Sequence, residues 1–316
     1  NQYNIHGDDS VAIWNNYQVI FHNLIPETLR KLDLGRHYIS SSPISNWGNT
    51  KGLNEGCLHY WGVWHGKQPL ESYRENDGRF VSEYGFPSYP TDRLWEKYIN
   101  LDDTTETRKE LEIRMKSYIG IQGIEKEINK YFHPGSGNID MIEKSLAVQA
   151  YGIRLATQSH RLSAPKTMGS LIWQLNDCWP GPSWSLIDYS GDEKPAYYEA
   201  MIQFSPVMVA AETRNDTLTL TAISDLPKTR KLEIEIFFAN QAGEKFNQQR
   251  KDFQLKTLKP SVILTIPLNE LETELQPDIH YLQYFVRDIE TQEIIYGDSY
   301  FFLPPKDRAI PIMKIE

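Results

Sequence analysis

The stretch "GRFVSEYGFPSYP", residues 78–90, decides how the first part of this chain is interpreted. Residues 79–85 are typical of a short buried strand, and the strand leads Glu83 into a run of Tyr, Gly, Phe and Pro residues. A glutamate beside a turn is usually just solvated, because Glu is seldom buried without a partner. In β/α barrels, however, the reactive groups lie at the carboxyl ends of the strands. Glu83 is therefore a candidate catalytic carboxylate if its neighbours along the chain form such strands.

Three other segments predict short apolar strands of the same kind: "HYISSSP" (37–43), "CLHYWGVW" (57–64) and "GSLIWQLND" (169–177). Helical spacing of apolar residues predicts helices over 9–33, with a kink at Pro26, and over 92–129, 138–162 and 194–204. Strands that alternate with helices or long loops indicate a β/α barrel. Since only four strands are found, we expect residues 1–203 to form the C-terminal half of a TIM (β/α)8 barrel, an α/β domain.

The composition changes near residue 205. All eight tryptophans lie at or before Trp184, and seven of the eight histidines lie at or before His160. Beyond that point apolar and polar residues alternate with period two, which predicts strands over 217–224, 231–238, 261–268, 280–288 and 293–302. This pattern predicts an immunoglobulin-like β-sandwich, an all-β domain over residues 204–316. It has no cluster of His, Cys or carboxylate side chains, so we interpret it as structural rather than as a sugar-binding module.

Composition and charge exclude several partners. The net charge of −9 argues against nucleic acid and against an anionic membrane surface, which both favour clustered Lys and Arg. No apolar run reaches the ~20 residues needed to span a bilayer. The chain opens on Asn1 without a signal peptide, so we expect a mature or trimmed product. Cys57 and Cys178 have no metal-ligand spacing around them, so no zinc site is expected, and their pairing stays open.

The predicted strand ends share aromatic rings and a few polar groups. In chain order they present Ser41, Ser42, His59, Tyr60, Trp61, Trp64, His65, Glu83, Trp173, Asn176, Asp177, Trp179 and Trp184. The apolar face of a pyranose packs on an indole ring, and its hydroxyls form hydrogen bonds with polar neighbours. Each ring alone could equally belong to a barrel core. So many of them beside one strand-end glutamate favour a carbohydrate site.

The sequence around this glutamate resembles a known family. "RFVSEYGFPSYP" resembles the nucleophile motif of family 2 glycoside hydrolases, whose Ser-Glu-Tyr-Gly core is shared with β-glucuronidases. Three accompanying motifs, "YISSSPISNWG", "HYWGVWHGKQPLESY" and "GSLIWQLNDCWPGPSWSLIDYSGDEKPAYY", resemble β-mannosidases more closely. The resemblance extends from about residue 11 to about residue 203. The sandwich resembles the family's C-terminal accessory domains only loosely.

This resemblance implies a retaining exo-β-mannosidase that acts on terminal β-mannosides with Glu83 as nucleophile. It implies that Trp173 is the sugar-platform tryptophan. It also implies that one strand holds the nucleophile in place through its side chains, with His59, Tyr60, Trp61 and His65 as the candidates. Asn176 and Asp177 are expected on the substrate side of the site. Cleavage by two carboxyl groups needs neither a metal nor another cofactor, so none is expected.

One catalytic group is missing from the resemblance. The family's acid/base is the Glu of an Asn-Glu pair that precedes the helix with which this chain opens. Asn54-Glu55 has the right residues but comes one strand too late. We therefore expect a fragment that lacks the acid/base, is inactive alone, and self-associates, covers its open edge or needs the rest of the barrel. The alternatives are another family 2 glycosidase such as β-glucuronidase, or a non-catalytic carbohydrate-binding fragment. A periplasmic, secreted or lysosomal location is favoured over a cytoplasmic one.

Overall fold

The chain forms a small parallel sheet covered by helices, followed by two antiparallel sheets packed face to face. The computed structural model describes residues 8–98, 102–135, 137–271 and 274–309. The parallel sheet has the order β1-β2-β3-β4, with β1 at Ser45–Asn46, β2 at Leu58–His59, β3 at Val81–Tyr84 and β4 at Ser170–Ile172. The predicted fold class, α/β followed by all-β, is confirmed.

The helices predicted over 138–162 and 194–204 are found, whereas the first part otherwise contains more and shorter helices than predicted. They are α1 (Asp8–Tyr17), a π-helix (Gln18–Leu24), α2 (Ile25–Leu32), α3 (Asp92–Trp95), α4 (Thr104–Arg114), α5 (Gln122–Tyr131), α6 (Asn138–Leu162) and α7 (Pro195–Gln203), with 3-10 turns at Thr50–Leu53 and Leu70–Glu75. The single helix predicted over 92–129 was wrong. The Asp103 side chain caps a new helix by accepting hydrogen bonds from the backbone of Thr105 and Glu106, and Gly120 adopts a positive φ before α5.

Three of the predicted strands also need correction, and one of them, predicted over 169–177, covers only Ser170–Ile172. Residues 37–43 form no strand, and the chain pairs with β2 only at β1, beyond Pro43. A proline has no N–H to donate to a sheet ladder, which explains why pairing starts after it. The strand predicted over 57–64 ends after His59, because a turn follows in which the N–H groups of His65 and Gly66 donate to the Trp61 carbonyl.

Helices form a closed core with one face of the parallel sheet, whereas on the other face Phe21 and Ile25 of the N-terminal helices only line a cavity with Phe80 and Leu171. Leu58, Val81 and Tyr84 are fully buried on the core face and pack into one core with side chains from α5, α6 and α7. On the opposite face Phe80 is 40% exposed and Leu171 is 51% exposed. The sheet therefore has one face packed as a hydrophobic core and one face that the described residues leave accessible.

The second part is a seven-stranded sandwich. One sheet has the order β11-β10-β7-β8 and the other β5-β6-β9, and all pairings within them are antiparallel. The strands are β5 (Val207–Arg214), β6 (Thr217–Ser224), β7 (Arg230–Ala239), β8 (Lys245–Leu255), β9 (Ser261–Pro267), β10 (Tyr281–Asp288) and β11 (Ile294–Phe301), and 3-10 turns lie at Leu268–Leu271 and Pro305–Asp307. The inward residues of both sheets, such as Leu220 and Leu282, form a second closed core. The predicted boundary between residues 203 and 204 stays a prediction; it lies between α7 and β5.

A polar joint connects α6 and α7 to the sandwich. The Arg154 guanidinium lies 2.9 Å from Glu199 Oε1 on α7 and 2.6 Å from Asp298 Oδ1 on β11. Arg161 donates to the carbonyls of Gln203 and Ser205, 2.7 Å each. Long side chains of α6 thus hold both the last helix of the first part and the sandwich.

Candidate active site

Glu83 lies at an irregularity of β3 that turns it away from the helices. Leu58 pairs with Val81, but the next residue of β2, His59, pairs with Glu83, so β3 contains one extra residue at Ser82. Val81 and Tyr84 both face the helix-covered core, and Ser82 and Glu83 between them are only partly buried. A β-bulge of this kind re-aims a side chain. The bulge brings the Glu83 carboxylate to the accessible face.

Two donors hold one oxygen of this carboxylate. Trp61 donates its indole N–H to Glu83 Oε2 over 3.1 Å, and His59 Nδ1 lies 3.1 Å from the same oxygen. The Glu83 side chain is 25% exposed. Among the described residues, the structure gives Oε1 no hydrogen bond, so this oxygen is open to a bound molecule.

His59 is a neutral partner of this carboxylate at ordinary pH. Burial lowers the pKa of its imidazole, and the opposing effect of the Glu83 charge does not reverse the direction. A neutral imidazole carries one N–H, and because Nδ1 faces the carboxylate, that N–H belongs on Nδ1. The other nitrogen, Nε2, lies 3.3 Å from the hydroxyl of Ser42.

Gly85 brings Trp173 close behind Glu83. The backbone N–H of Trp173 donates to the Tyr84 carbonyl over 2.8 Å, and the Trp173–Gln174 peptide bond is cis. A Cβ placed on Gly85 would lie 2.1 Å from the Trp173 carbonyl oxygen, so the Gly of the Ser-Glu-Tyr-Gly motif permits this approach. The Trp173 ring is 43% exposed. The motif and Trp173 are therefore linked through backbone contact.

Further aromatic rings form a wall beside Trp61. Its ring makes edge contacts with His65, at 5.6 Å between centroids, and with Trp184, at 6.2 Å. His65 in turn stacks on Tyr118 at 5.5 Å. Sequence reasoning did not identify Tyr118, which lies in the irregular segment between α4 and α5, and no local pattern marks it.

Three other predicted site residues either lie away from Glu83 or form hydrogen bonds with neighbouring residues. Tyr60 is buried in the helix-covered core, where its hydroxyl donates to Gln68 Oε1 over 2.6 Å, so the structure does not bring it to the Glu83 side. Asn176 is exposed and pairs through its backbone with Ile187. Asp177 Oδ2 accepts hydrogen bonds from the hydroxyls of Ser183 and Ser185. The serines of "PSWS" give Asp177 an anchoring role that its position in sequence did not reveal.

The other residues singled out in the sequence lie just before β2 or beyond β4. Asn54 and Glu55 are exposed in the turn before β2. Cys57 is buried and Cys178 exposed, and neither forms a disulfide. Within the described ranges, no three His, Cys, Asp or Glu side chains come together in a way that could hold a metal ion. None of the described helices is both long and apolar enough to cross a bilayer.

Comparison with known proteins points to one group of enzymes. A family model described as a Mannosidase Ig/CBM-like domain matches residues 216–307. Beta-mannosidase B of Aspergillus fumigatus is 29% identical over 233 residues, covering 70% of this chain and 27% of the relative. Beta-mannosidase B of Aspergillus oryzae is 25% identical over 327 residues, covering 94% of this chain and 38% of the relative.

A solved structure agrees with these relatives. The crystal structure of a β-D-mannosidase from Dictyoglomus thermophilum superposes with a TM-score of 0.80 at 28% identity, covering 93% of this chain and 36% of that chain. The similarity thus includes both the parallel sheet and the sandwich. The chain spans much less than half the length of each of these proteins.

Proposed function

Since this chain is related in sequence and in fold to the β-mannosidases of glycoside hydrolase family 2, we propose that it carries the nucleophile of a retaining β-mannosidase. The observation that supports this most is the asymmetric setting of Glu83. Trp61 and His59 both donate to Oε2, whereas no hydrogen bond from a described residue reaches Oε1. Two donors on one oxygen fix the plane of the carboxylate. Oε1 is then the atom that attacks the anomeric carbon.

The proposed reaction has two displacements. Oε1 of Glu83 forms a bond to the anomeric carbon while the glycosidic bond breaks and a carboxylic acid protonates the leaving oxygen. Water, deprotonated by the same second group, then cleaves the glycosyl ester and releases mannose with retained configuration. Trp173 and Trp61 offer indole faces for the sugar ring.

We place the acid/base outside these 316 residues. In a retaining enzyme the two carboxyl groups lie about 5–5.5 Å apart. Glu55 is exposed in a turn before β2, and Asp177 is anchored by two serine hydroxyls, so neither is a good candidate. The 316-residue chain alone should then be inactive, and catalysis should need the full-length protein. Activity of the isolated chain would instead make Glu55 the first residue to test.

Replacing Glu83 by Gln in the full-length protein tests the proposal directly. The amide keeps the shape of the side chain but cannot form the ester, so we expect kcat to fall about 10³-fold or more. A 2-deoxy-2-fluoro-mannoside, which slows the second displacement, should label the peptide that contains Glu83 in the wild type only. Glu55→Gln is the matched control and should retain activity.

Three outcomes would overturn or change this proposal. Glu83→Gln retaining more than a few per cent of activity would move the nucleophile elsewhere, with Asp177 tested next. Faster cleavage of a nitrophenyl β-glucuronide than of the β-mannoside would show that the substrate is a glucuronide. The assignment of Glu83 as the nucleophile would stand. If the full-length protein binds mannosides but cleaves no glycoside, the non-catalytic alternative is favoured.

A further inference from the structure

We propose that Ser42 is a positioning residue for Glu83, acting through His59, and that Cys57 positions Ser42. The four side chains form one hydrogen-bonded line. Cys57 Sγ lies 3.5 Å from Ser42 Oγ, Ser42 Oγ lies 3.3 Å from His59 Nε2, and His59 Nδ1 lies 3.1 Å from Glu83 Oε2. The role assigned to this line rests on the proposed function of Glu83, but its geometry does not.

The line has a direction that follows from donors and acceptors. Glu83 is a carboxylate and accepts, so Nδ1 of the neutral His59 donates and Nε2 must accept. The hydroxyl of Ser42 supplies the proton for Nε2, and its oxygen is then free to accept the S–H of Cys57. Every donor therefore points toward Glu83. Hydrogen bonds at both ring nitrogens hold the plane of an imidazole, as they do for histidines that serve other groups.

The surroundings suit this arrangement. Cys57 is buried, so its thiol is shielded from water beside the Ser42 hydroxyl. Ser42, Cys57 and Ser82 line a cavity of about 770 Å³ on the accessible face of the sheet. Ser42 and Cys57, the first two members of the line, thus lie on the wall of this cavity, which Phe21 and Ile25 also line.

The four residues of the line come from three segments of the chain, and Glu83 is in β3. Ser42 precedes Pro43 and β1, whereas Cys57 immediately precedes β2 and His59 ends it. The neighbouring Ser41 is different, since its hydroxyl donates to the Pro43 carbonyl over 3.1 Å. Ser41 is therefore a matched control one residue away from Ser42.

Nitrogen NMR of the histidine rings tests the line without reference to catalysis. In the ¹⁵N-histidine-labelled 316-residue chain, assigned with a His59→Gln variant, we expect His59 to be protonated at Nδ1 and hydrogen-bonded at Nε2. Ser42→Ala should move the Nε2 shift toward that of a free, unprotonated nitrogen. Ser42→Thr and Ser41→Ala should leave it unchanged. The ring signals of His160 report whether each variant is folded.

Activity of the full-length protein gives the second readout. Loss of one neutral hydrogen bond predicts a fall of about 2- to 10-fold in kcat for Ser42→Ala, with a smaller change in KM and recovery in Ser42→Thr. Cys57→Ala should lower kcat about 2-fold, and Cys57→Ser, which keeps a donor, should restore it.

Failure of this inference can be distinguished from failure of the proposed function. His59 protonated at Nε2 in the wild type, or an Nε2 shift that Ser42→Ala does not change, overturns the line. A kcat that Ser42→Ala does not change overturns the positioning role, even where the NMR result agrees. Full activity of Glu83→Gln would overturn the assignment of Glu83 as nucleophile. The Nε2 shift of His59 would still report the Ser42–His59 hydrogen bond in that case.

Discussion

The parallel sheet and the sandwich use their faces in opposite ways. The strands β1 to β4 are two to four residues long, and only one face of their sheet packs into a core with helices. The strands β5 to β11 are seven to eleven residues long, and their two sheets bury each other's inner faces. The sandwich therefore uses its apolar surface for stability. The parallel sheet leaves one face accessible, and that face carries Glu83 and Trp173.

This difference has an energetic consequence. A fully buried apolar side chain contributes about 1.5–3 kcal/mol to folding, whereas an exposed one contributes little. Substitutions in the sandwich core should thus act on stability, and substitutions on the accessible face of the parallel sheet should act on function. Three predictions test this division, and the first concerns the joint between the two regions.

Arg154→Ala should have the largest effect on stability. It leaves Asp298, whose side chain is 5% exposed, and Glu199, 15% exposed, as carboxylates without their cation. Removing one member of a buried ion pair costs about 3–5 kcal/mol. We expect urea unfolding to show this loss, and hydrogen exchange to increase both in α6 and in β11.

An exposed ion pair provides the control for this prediction. Arg74 and Glu212 also connect the two regions, with N···O at 3.2 Å, but their side chains are 38% and 43% exposed. Solvent screens such a pair, so Arg74→Ala should cost less than about 1 kcal/mol and less still at high salt. Equal losses for Arg154→Ala and Arg74→Ala would show that the buried joint does not couple the two regions.

A pair of leucines compares the two faces directly. Leu282 in β10 is fully buried in the sandwich core, and Leu171 in β4 is 51% exposed on the accessible face. Leu282→Ala should lower the free energy of unfolding by about 2–5 kcal/mol. Leu171→Ala should change it by less than about 0.5 kcal/mol. A large loss for Leu171→Ala in the 316-residue chain would mean that this face is covered, and sedimentation would then show whether a second copy covers it.

Sequence patterns predicted the regular parts of both regions. The period-two alternation located five sandwich strands to within one or two residues, because each has one face in the core. Two strands were missed. β5 begins with a continuous apolar run, Val207 to Ala211, and β8 lies at a sheet edge, where its residues are mostly polar and exposed. Neither alternates, so periodicity alone could not identify them.

The parts of the candidate site that lie within sequence motifs were predictable. The Ser-Glu-Tyr-Gly stretch located Glu83, and the aromatic motif that begins at the end of β2 contained His59 and Trp61, which the structure places beside Glu83 Oε2. The bulge at Ser82 could not be anticipated, because it depends on the pairing with β2. Tyr60 was assigned to the site although alternation along β2 places it beside Leu58 in the core. The alternation of side chains along a strand therefore predicted a buried Tyr60, and it should have outweighed the resemblance.

His160 makes the parallel-sheet region sensitive to acid. Its ring is 1% exposed, makes edge contact with Tyr84 at 4.7 Å and places Nδ1 2.9 Å from the Ser170 hydroxyl. Burial lowers its pKa to about 3. In the unfolded chain the pKa of a histidine is about 6.5, so below that pH the unfolded state binds a proton that the folded state does not. Stability should therefore fall as the pH drops from about 6.5 toward 3.

The expected loss is about 2 kcal/mol at pH 5 relative to neutral pH. Burial also lowers the pKa values of His59 and His65, which adds to the loss in the same direction. Tryptophan fluorescence follows this region alone, because every tryptophan lies at or before Trp184. His160→Asn should lower stability at neutral pH but flatten its dependence between pH 7 and pH 5. The sandwich, followed by hydrogen exchange in β6 and β7, should keep its protection over the same range. If both regions lose stability together and His160→Asn changes nothing, acid acts on the polar joint rather than on the sheet that carries Glu83.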